Sequence, residues 1–223
     1  MAKSKIIRDL ANGDSDVVKA LKRLKVLMKG LGDTKINSWI NNELAGYQDI
    51  NDLPEYRITQ GNLYGTFIVG TRYNGMQYTE CPLPISPEND SIRDIILSAR
   101  TTDSISSILH IINSNKIPGV PIPPEYYPLL QKGTGITVLI SATTRVDITF
   151  FQDIVARVES ILIDILCALE NEFGVLDSLD IEFPENPEEK NSIIQQLTQY
   201  IYVDNSITIG DNNKIKDSDI TSS

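Results

Sequence analysis

The chain has 223 residues, 41% of them hydrophobic and 22% charged, with a formal net charge of −10. This is ordinary composition for a globular fold. No apolar run approaches the roughly 20 residues that cross a bilayer, so a membrane-spanning helix is excluded and no membrane partner is expected. Cys81 and Cys167 are too few for a disulfide framework and lack zinc-ligand spacing, and the first residues carry no apolar signal core, so the expected location is the cytoplasm.

The charge is unevenly placed. Residues 1–30 hold eight Lys or Arg against three Asp, whereas residues 147–223 hold four Lys or Arg against sixteen Asp or Glu. The acidic half argues against general nucleic-acid binding and leaves the basic first helices as the only candidate phosphate contact.

The chain opens with a short helix predicted over Ser4–Ala11, with Ile6, Ile7 and Leu10 apolar and Asn12-Gly13 ending it. Ser15 reads as the cap of a second helix reaching Met28. Its buried stripe is Val17/Val18, Leu21, Leu24 and Leu27/Met28. Lys19, Lys22, Arg23, Lys25 and Lys29 cover the opposite side and are the candidate nucleic-acid-binding residues. With no interleaved aromatic to stack bases, a solvated face is the expectation and nucleic acid is not expected as a partner. Asp33 reads as the cap of a third helix through Leu44. Ile36, Trp39, Ile40 and Leu44 line its inner side, with Trp39 as a core anchor.

After Gly46 the pattern turns to strands, over Tyr56–Thr59, Leu63–Val69 and Met76–Glu80. Asn74-Gly75 is a hairpin signal, because both residues tolerate positive φ. Two helices are predicted at Ser91–Ser98 and Asp103–Asn113. The second carries His110, the only histidine, with no nucleophile or acidic partner in a recognisable motif nearby. The proline-rich run from Ile117 to Leu130 reads as an extended connector, and Ile136–Ile140 as a strand.

The stretch Asp147–Phe173 is the element around which the rest is expected to be organised. Ile154, Val158, Ile161/Leu162, Ile165/Leu166, Leu169 and Phe173 make one helix face, and Cys167 reads as a buried small hydrophobe. Thr149 and Gln152 have capping-box spacing, which starts the helix at Phe150, and Gly174 suits a left-handed end.

Val175–Lys190 reads as an acidic linker or loosely packed loop, and Ser192–Thr198 as a short helix. From Tyr200 onward apolar and polar residues alternate with Asp/Asn/Gly turns, predicting a β-rich tail resembling rungs of a solenoid or prism. Twenty such residues cannot bury their own apolar positions. Ile201, Val203, Ile207, Ile209 and Ile215 are therefore candidate self-association positions, with a trimer the first expectation and a dimer the second. The expected class is α+β: a mainly helical domain with a small antiparallel sheet over 1–174, a linker at 175–190, and a helix and β-rich tail over 191–223.

No phosphate-binding loop, dinucleotide fingerprint, H-E-x-x-H, G-x-S-x-G or C-x-x-C occurs. Asp177, Asp180 and Glu182 read as solvated charge. No catalytic residue, metal site or cofactor is assigned, and enzymatic activity is left open.

Three stretches together carry a resemblance. The first runs from Ile6 to Tyr47 and ends in W-[IV]-x-x-E-L-x-G-Y, here Trp39 to Tyr47. The second is YRITQGNLYGTF, and the third is VPIPPEYYPLLQKG followed by a strand and the long helix. In this order, over about residues 4–174, they resemble the AbiTii domain of bacterial abortive-infection proteins. The resemblance implies a role in defence against phage and brings no catalytic residues. Such domains often precede an effector, and no toxin or nuclease module is read after the tail. The expectation is a non-catalytic sensor, adaptor or oligomerisation component whose partner is itself, another defence protein or a phage component. The alternative is a nucleic-acid-acting effector, such as a metal-dependent nuclease, with a cryptic site.

Overall fold

A computed structural model describes residues 3–32, 34–71, 73–87, 90–114, 119–179 and 181–202. The long helix, α7 (Ile148–Phe173), is the axis of the larger of two apolar cores. Its stripe of Ile154, Val158, Ile161, Leu162, Ile165, Leu166 and Leu169 is buried along the whole length. Packed on it are α1 (Lys5–Ala11), α2 (Val17–Leu27), α5 (Ile105–Ser114) and α8 (Pro187–Tyr202). A fifth helix, α3 (Lys35–Ala45), lies against α2, α5 and α8. Each helix is amphipathic, so mutual burial of the stripes is what selects this arrangement.

The smaller core lies under a four-stranded antiparallel sheet of order β3-β2-β6-β5. Its strands are β2 (Asn62–Val69), β3 (Met76–Pro82), β5 (Gly119–Pro121) and β6 (Ile136–Arg145). Leu63, Phe67, Leu139 and Ala142 point inward, against Ile96 of α4 (Asp90–Leu97) and Leu130 of α6 (Tyr127–Gln131). Gly65 is a glycine by necessity, since a Cβ there would stand 2.5 Å from the Ser141 carbonyl oxygen on β6. Thr66 pairs with Ser141 and Phe67 with Leu139, which leaves Ile140 as the extra residue of a bulge, half exposed. The two cores are joined by a short ribbon in which β1 (Ile58–Gln60) pairs with β4 (Ser98–Arg100).

Several expectations need correction. Asp16, not Ser15, caps α2, its carboxylate accepting from the Lys19 N–H. Thr34 caps α3, and Asp33 lies outside the described residues. Asp147 caps α7 two residues ahead of Thr149, because its carboxylate accepts from the Thr149 N–H. The β2–β3 loop takes its positive φ at Gly70 rather than at Asn74-Gly75. The ends of two predicted loop or helix segments are strands, β4 and β5.

The largest correction concerns the stretch after Gly174. Val175–Lys190 does not hang loose: Leu176 is buried, and Phe183 packs edge-on against Phe173 with ring centroids 5.0 Å apart. The final helix runs over Pro187–Tyr202 instead of Ser192–Thr198. Asn186 offers a capping carboxamide oxygen to Glu188, Pro187 opens the helix, and Glu188 and Glu189 lie in its first turn. Tyr200 and Ile201 are thus helical rather than the first residues of a strand. Residues 203–223, and with them Val203, Ile207, Ile209 and Ile215, lie outside the described residues.

The start of the chain is tied to this later stretch. The Ser4 hydroxyl and N–H donate to Glu170 of α7, and that hydroxyl accepts from the Leu176 N–H. Lys3 forms an ion pair with Glu170 at 2.7 Å. Burial works to raise the Glu170 pKa, but the Lys3 ammonium and the two Ser4 donors outweigh it and hold the group at about 2, below its ordinary 4.5. The stabilisation is therefore present above the unfolded-state pKa and is lost as pH falls from about 4.5 toward 2.

Two outcomes follow from this packing. Trp39, 1% exposed, sits in the larger core. Trp39→Ala is expected to cost roughly 3–5 kcal/mol in urea unfolding, and a loss under about 1 kcal/mol would show that the side chain is not a core anchor. Glu170→Gln is expected to flatten the fall in melting temperature between pH 5 and pH 2. An acid limb as steep as that of the natural sequence would remove Glu170 as its source.

Candidate functional site: a polar groove over a buried ion pair

The motif residues Trp39, Glu43 and Tyr47 recur every four residues, so they share the inner side of α3 and its exit. They converge on Arg57, which is brought in by the turn that precedes β1. Glu43 and Arg57 are both 0% exposed. The Glu43 carboxylate accepts from Tyr47 Oη at 2.8 Å, Tyr56 Oη at 2.7 Å and Arg57 Nε at 3.1 Å, and its other oxygen accepts from Arg57 Nη2. Arg57 Nη1 donates to the carbonyls of Thr101 and Asp103, and the guanidinium lies 4.8 Å from the Tyr47 ring centre. Trp39 Nε1 donates to Tyr56 Oη at 2.8 Å. Burial and then the Glu43 carboxylate push the Tyr47 and Tyr56 hydroxyls well above their usual range, so both stay protonated and donate.

Gly46 completes the motif. Its φ of 93° is a left-handed conformation, and a Cβ would stand 2.9 Å from the Thr102 carbonyl oxygen. The same carbonyl accepts from the Tyr47 N–H at 2.9 Å. A side chain at this position would push the 101–103 segment off the network.

Above the network lies an open groove of about 1260 Å³. One wall is the outer side of α3, with Lys35, Ser38 and Asn42 in line. The 51–55 segment and β1 supply Asn51, Asp52, Glu55 and Ile58. The first turns of α7 supply Asp153 and Arg157, and the last turn of α8 supplies Ile201 and Tyr202. Tyr56 forms part of the floor, so the groove and the ion pair share a residue. Burial, then Asp52, then Glu43 push the Tyr202 hydroxyl up.

Of the candidate nucleic-acid-binding residues four are exposed and one, Arg23, is not. Lys22, Lys25 and Lys29 are exposed along one side of α2 and its extension. Lys19 is paired with its own cap, Asp16, at 3.2 Å. Arg23 is half-buried, and its Nε is a buried atom with no hydrogen-bond partner among the described residues. Ile201, a candidate self-association residue, is 3% exposed in its own domain's core. His110 is exposed on α5 and Cys167 is half-buried in α7. Among the described residues no group of three or more His, Cys, Asp or Glu is placed to hold a metal ion, and no helix is long and apolar enough to cross a membrane.

Residues 4–196 match the AbiTii family. The chain belongs to that family. The match covers more than the N-terminal domain expected from the sequence, reaching through α7 and the packed 175–186 stretch into α8. AbiTii membership carries the general role of abortive infection, bacterial defence against phage. No curated protein and no solved structure matches the chain.

The Glu43–Arg57 network makes a sharp expectation. Glu43→Gln leaves a buried guanidinium without its counter-charge and is expected to cost about 3–5 kcal/mol, whereas Glu43→Leu combined with Arg57→Met should cost less than the two single changes summed. Urea midpoints of the four variants measure this. Additive losses would mean that the two side chains do not act as a pair.

Proposed function

We propose that this AbiTii protein acts as a non-catalytic sensor or adaptor in abortive infection, and that the groove between α3, β1 and the end of α8 is where it recognises a protein partner. The partner is another component of the defence or a component of the phage. The observation that carries this reading is how the polar groups are arranged around Tyr56. The acid and base beneath it, Glu43 and Arg57, are fully engaged with each other, with two tyrosines and with backbone carbonyls. Both are fully buried and fix the floor of the groove.

The walls above present amides, hydroxyls and ions of both signs from separate segments. Such a surface suits a polypeptide, which offers donors and acceptors in alternation, better than a polyanion, which needs a field of one sign. The exposed lysines of α2 and its extension, Lys19, Lys22, Lys25 and Lys29, lie on different elements from the groove lining, with no aromatic among them to stack a base.

The test is phage restriction in cells expressing the full chain. Asn42→Arg and Lys35→Glu, both on the groove wall, are expected to abolish protection without moving the melting temperature. The purified natural protein with Mg²⁺ or Mn²⁺ is expected to leave DNA and RNA intact. Metal-dependent cleavage lost on substituting Asp52 or Asp153 would replace this reading with that of a nucleic-acid-acting effector.

A further inference from the structure

Strand β1 has one paired edge and one bare edge. Ile58, Thr59 and Gln60 face Arg100, Ala99 and Ser98 of β4 in antiparallel register. The Thr101 N–H donates to the Arg57 carbonyl, and the Gly61 N–H donates to the Leu97 carbonyl. In such a ladder the backbone groups of alternate residues point to opposite sides. Arg57, Thr59 and Gly61 therefore turn theirs toward β4, while Ile58 and Gln60 turn theirs away. The Ile58 N–H bends back to the Glu55 carbonyl. The Ile58 carbonyl and both backbone groups of Gln60 have no hydrogen-bond partner among the described residues.

The bare edge faces the groove. Ile58 and Thr59 line it and no residue of β4 does, so the groove runs along the side of β1 away from β4. On one face of the ribbon it continues into a second hollow, where Ile50, Ile58 and Ile95 stand 46%, 39% and 69% exposed. Side chains of a strand added to β1 would alternate between the two ribbon faces, and those on the Ile58 side would cover these isoleucines. In the groove Asp52, Glu55 and Asp153 outnumber Lys35 and Arg157. None of these five side chains has a hydrogen bond or ion pair among the described residues. The surplus of uncommitted carboxylates favours a positively charged visitor.

We infer that the partner enters the groove as an extended polypeptide segment that adds a third strand to the β1–β4 ribbon. Its backbone pairs with Ile58 and Gln60, an apolar side chain covers Ile50, Ile58 and Ile95, and a neighbouring lysine or arginine meets Asp52 and Glu55. Main-chain pairing supplies affinity in this mode and the side-chain hollows supply specificity. The inference rests on the reading of the groove as the recognition site and adds the conformation and chemistry of what is recognised. A second copy's β1 does not suit as the added strand, since each bare edge lies recessed between α3 and the end of α8 and two recessed edges cannot meet.

Proline at position 60 tests the backbone contact. The Gln60 N–H takes no part in the β1–β4 ladder, so Gln60→Pro removes a donor on the groove side only, a change that an edge strand tolerates. Gln60→Ala loses the same side chain and keeps the N–H. In cells expressing the full chain, Gln60→Pro is expected to restrict phage about tenfold less than Gln60→Ala, the effect of one lost hydrogen bond on a binding constant, with equal melting temperatures for the two purified proteins. Ile95→Lys, at a surface position, is expected to weaken restriction to a similar degree by charging the apolar hollow, and Asp52→Lys with Glu55→Lys by reversing the sign of the wall.

Equal restriction by the two position-60 variants overturns the inference. Should the proline lower the melting temperature, Ile95→Lys decides: undiminished restriction overturns the inference, and a loss without thermal destabilisation supports it. A dimer in light scattering that Gln60→Pro converts to a monomer also overturns it, because the added strand would then come from a second copy. Loss of protection in Asn42→Arg with equal restriction by the position-60 variants would remove the added strand and keep the groove as the recognition site. The reverse pattern would keep the strand and remove the α3 wall from the recognition surface.

Discussion

The Glu43 carboxylate, taken out of water inside a helical core, is the constraint on which this structure depends. Removing a carboxylate and a guanidinium from water costs several kcal/mol for each ion after relaxation, so the pair persists only with good geometry and further hydrogen bonds. Two tyrosine hydroxyls and two backbone carbonyls supply them. These partners come from three parts of the chain, so satisfying the charge fixes α3, the turn before β1 and the 101–103 segment relative to one another. The last two lead into β1 and out of β4, the ribbon between the helical core and the sheet core. A single buried ion pair therefore sets how the two halves of the fold meet, and it also builds the rigid floor of the groove.

This gives the family motif a physical reading. In W-I-x-x-E-L-x-G-Y, Trp39 holds Tyr56, Glu43 holds Arg57, Gly46 admits the 102 carbonyl, and Tyr47 closes the cluster over the guanidinium. Its residues serve architecture, and the groove wall is formed by other positions of α3, namely Lys35 and Ser38 ahead of the motif and Asn42 within it.

Much of the helical core was legible in the sequence, because its periodicity is a local property. The stripes of α2, α3 and α7 appear where the 3.6-residue repeat puts them. Helix starts were less legible: at Asp16 and Asp147 a carboxylate one or two residues from the expected hydroxyl took a free N–H. Asn186-Pro187-Glu188-Glu189 carried a complete start signal for α8, yet its acidity and prolines also fit a linker, and only the packing of Leu197 and Ile201 distinguishes the two. The importance of Glu43 was partly legible, since it sits four residues after Trp39 on the buried side and so required a partner. That the partner is Arg57, and that the groove gathers residues from α3, β1, α7 and α8, depends on tertiary contacts that no local pattern encodes.

The tie between Ser4 and Glu170 has a consequence for how the molecule is made. The two residues are 166 positions apart, and the Ser4 hydroxyl also meets Leu176. Closure of such distant contacts is what slows folding in general, because chain entropy must be lost before they form. On the ribosome, α1 and α2 emerge with their apolar stripes complete and α7 still unsynthesised. At roughly 5–20 residues per second the first helices wait on the order of ten seconds for their partner. Residues 1–30 carry eight Lys or Arg against three Asp, with Lys19, Lys22, Lys25 and Lys29 on the side of α2 and its extension away from the stripe, where mutual repulsion between nascent chains would keep the waiting apolar surfaces apart.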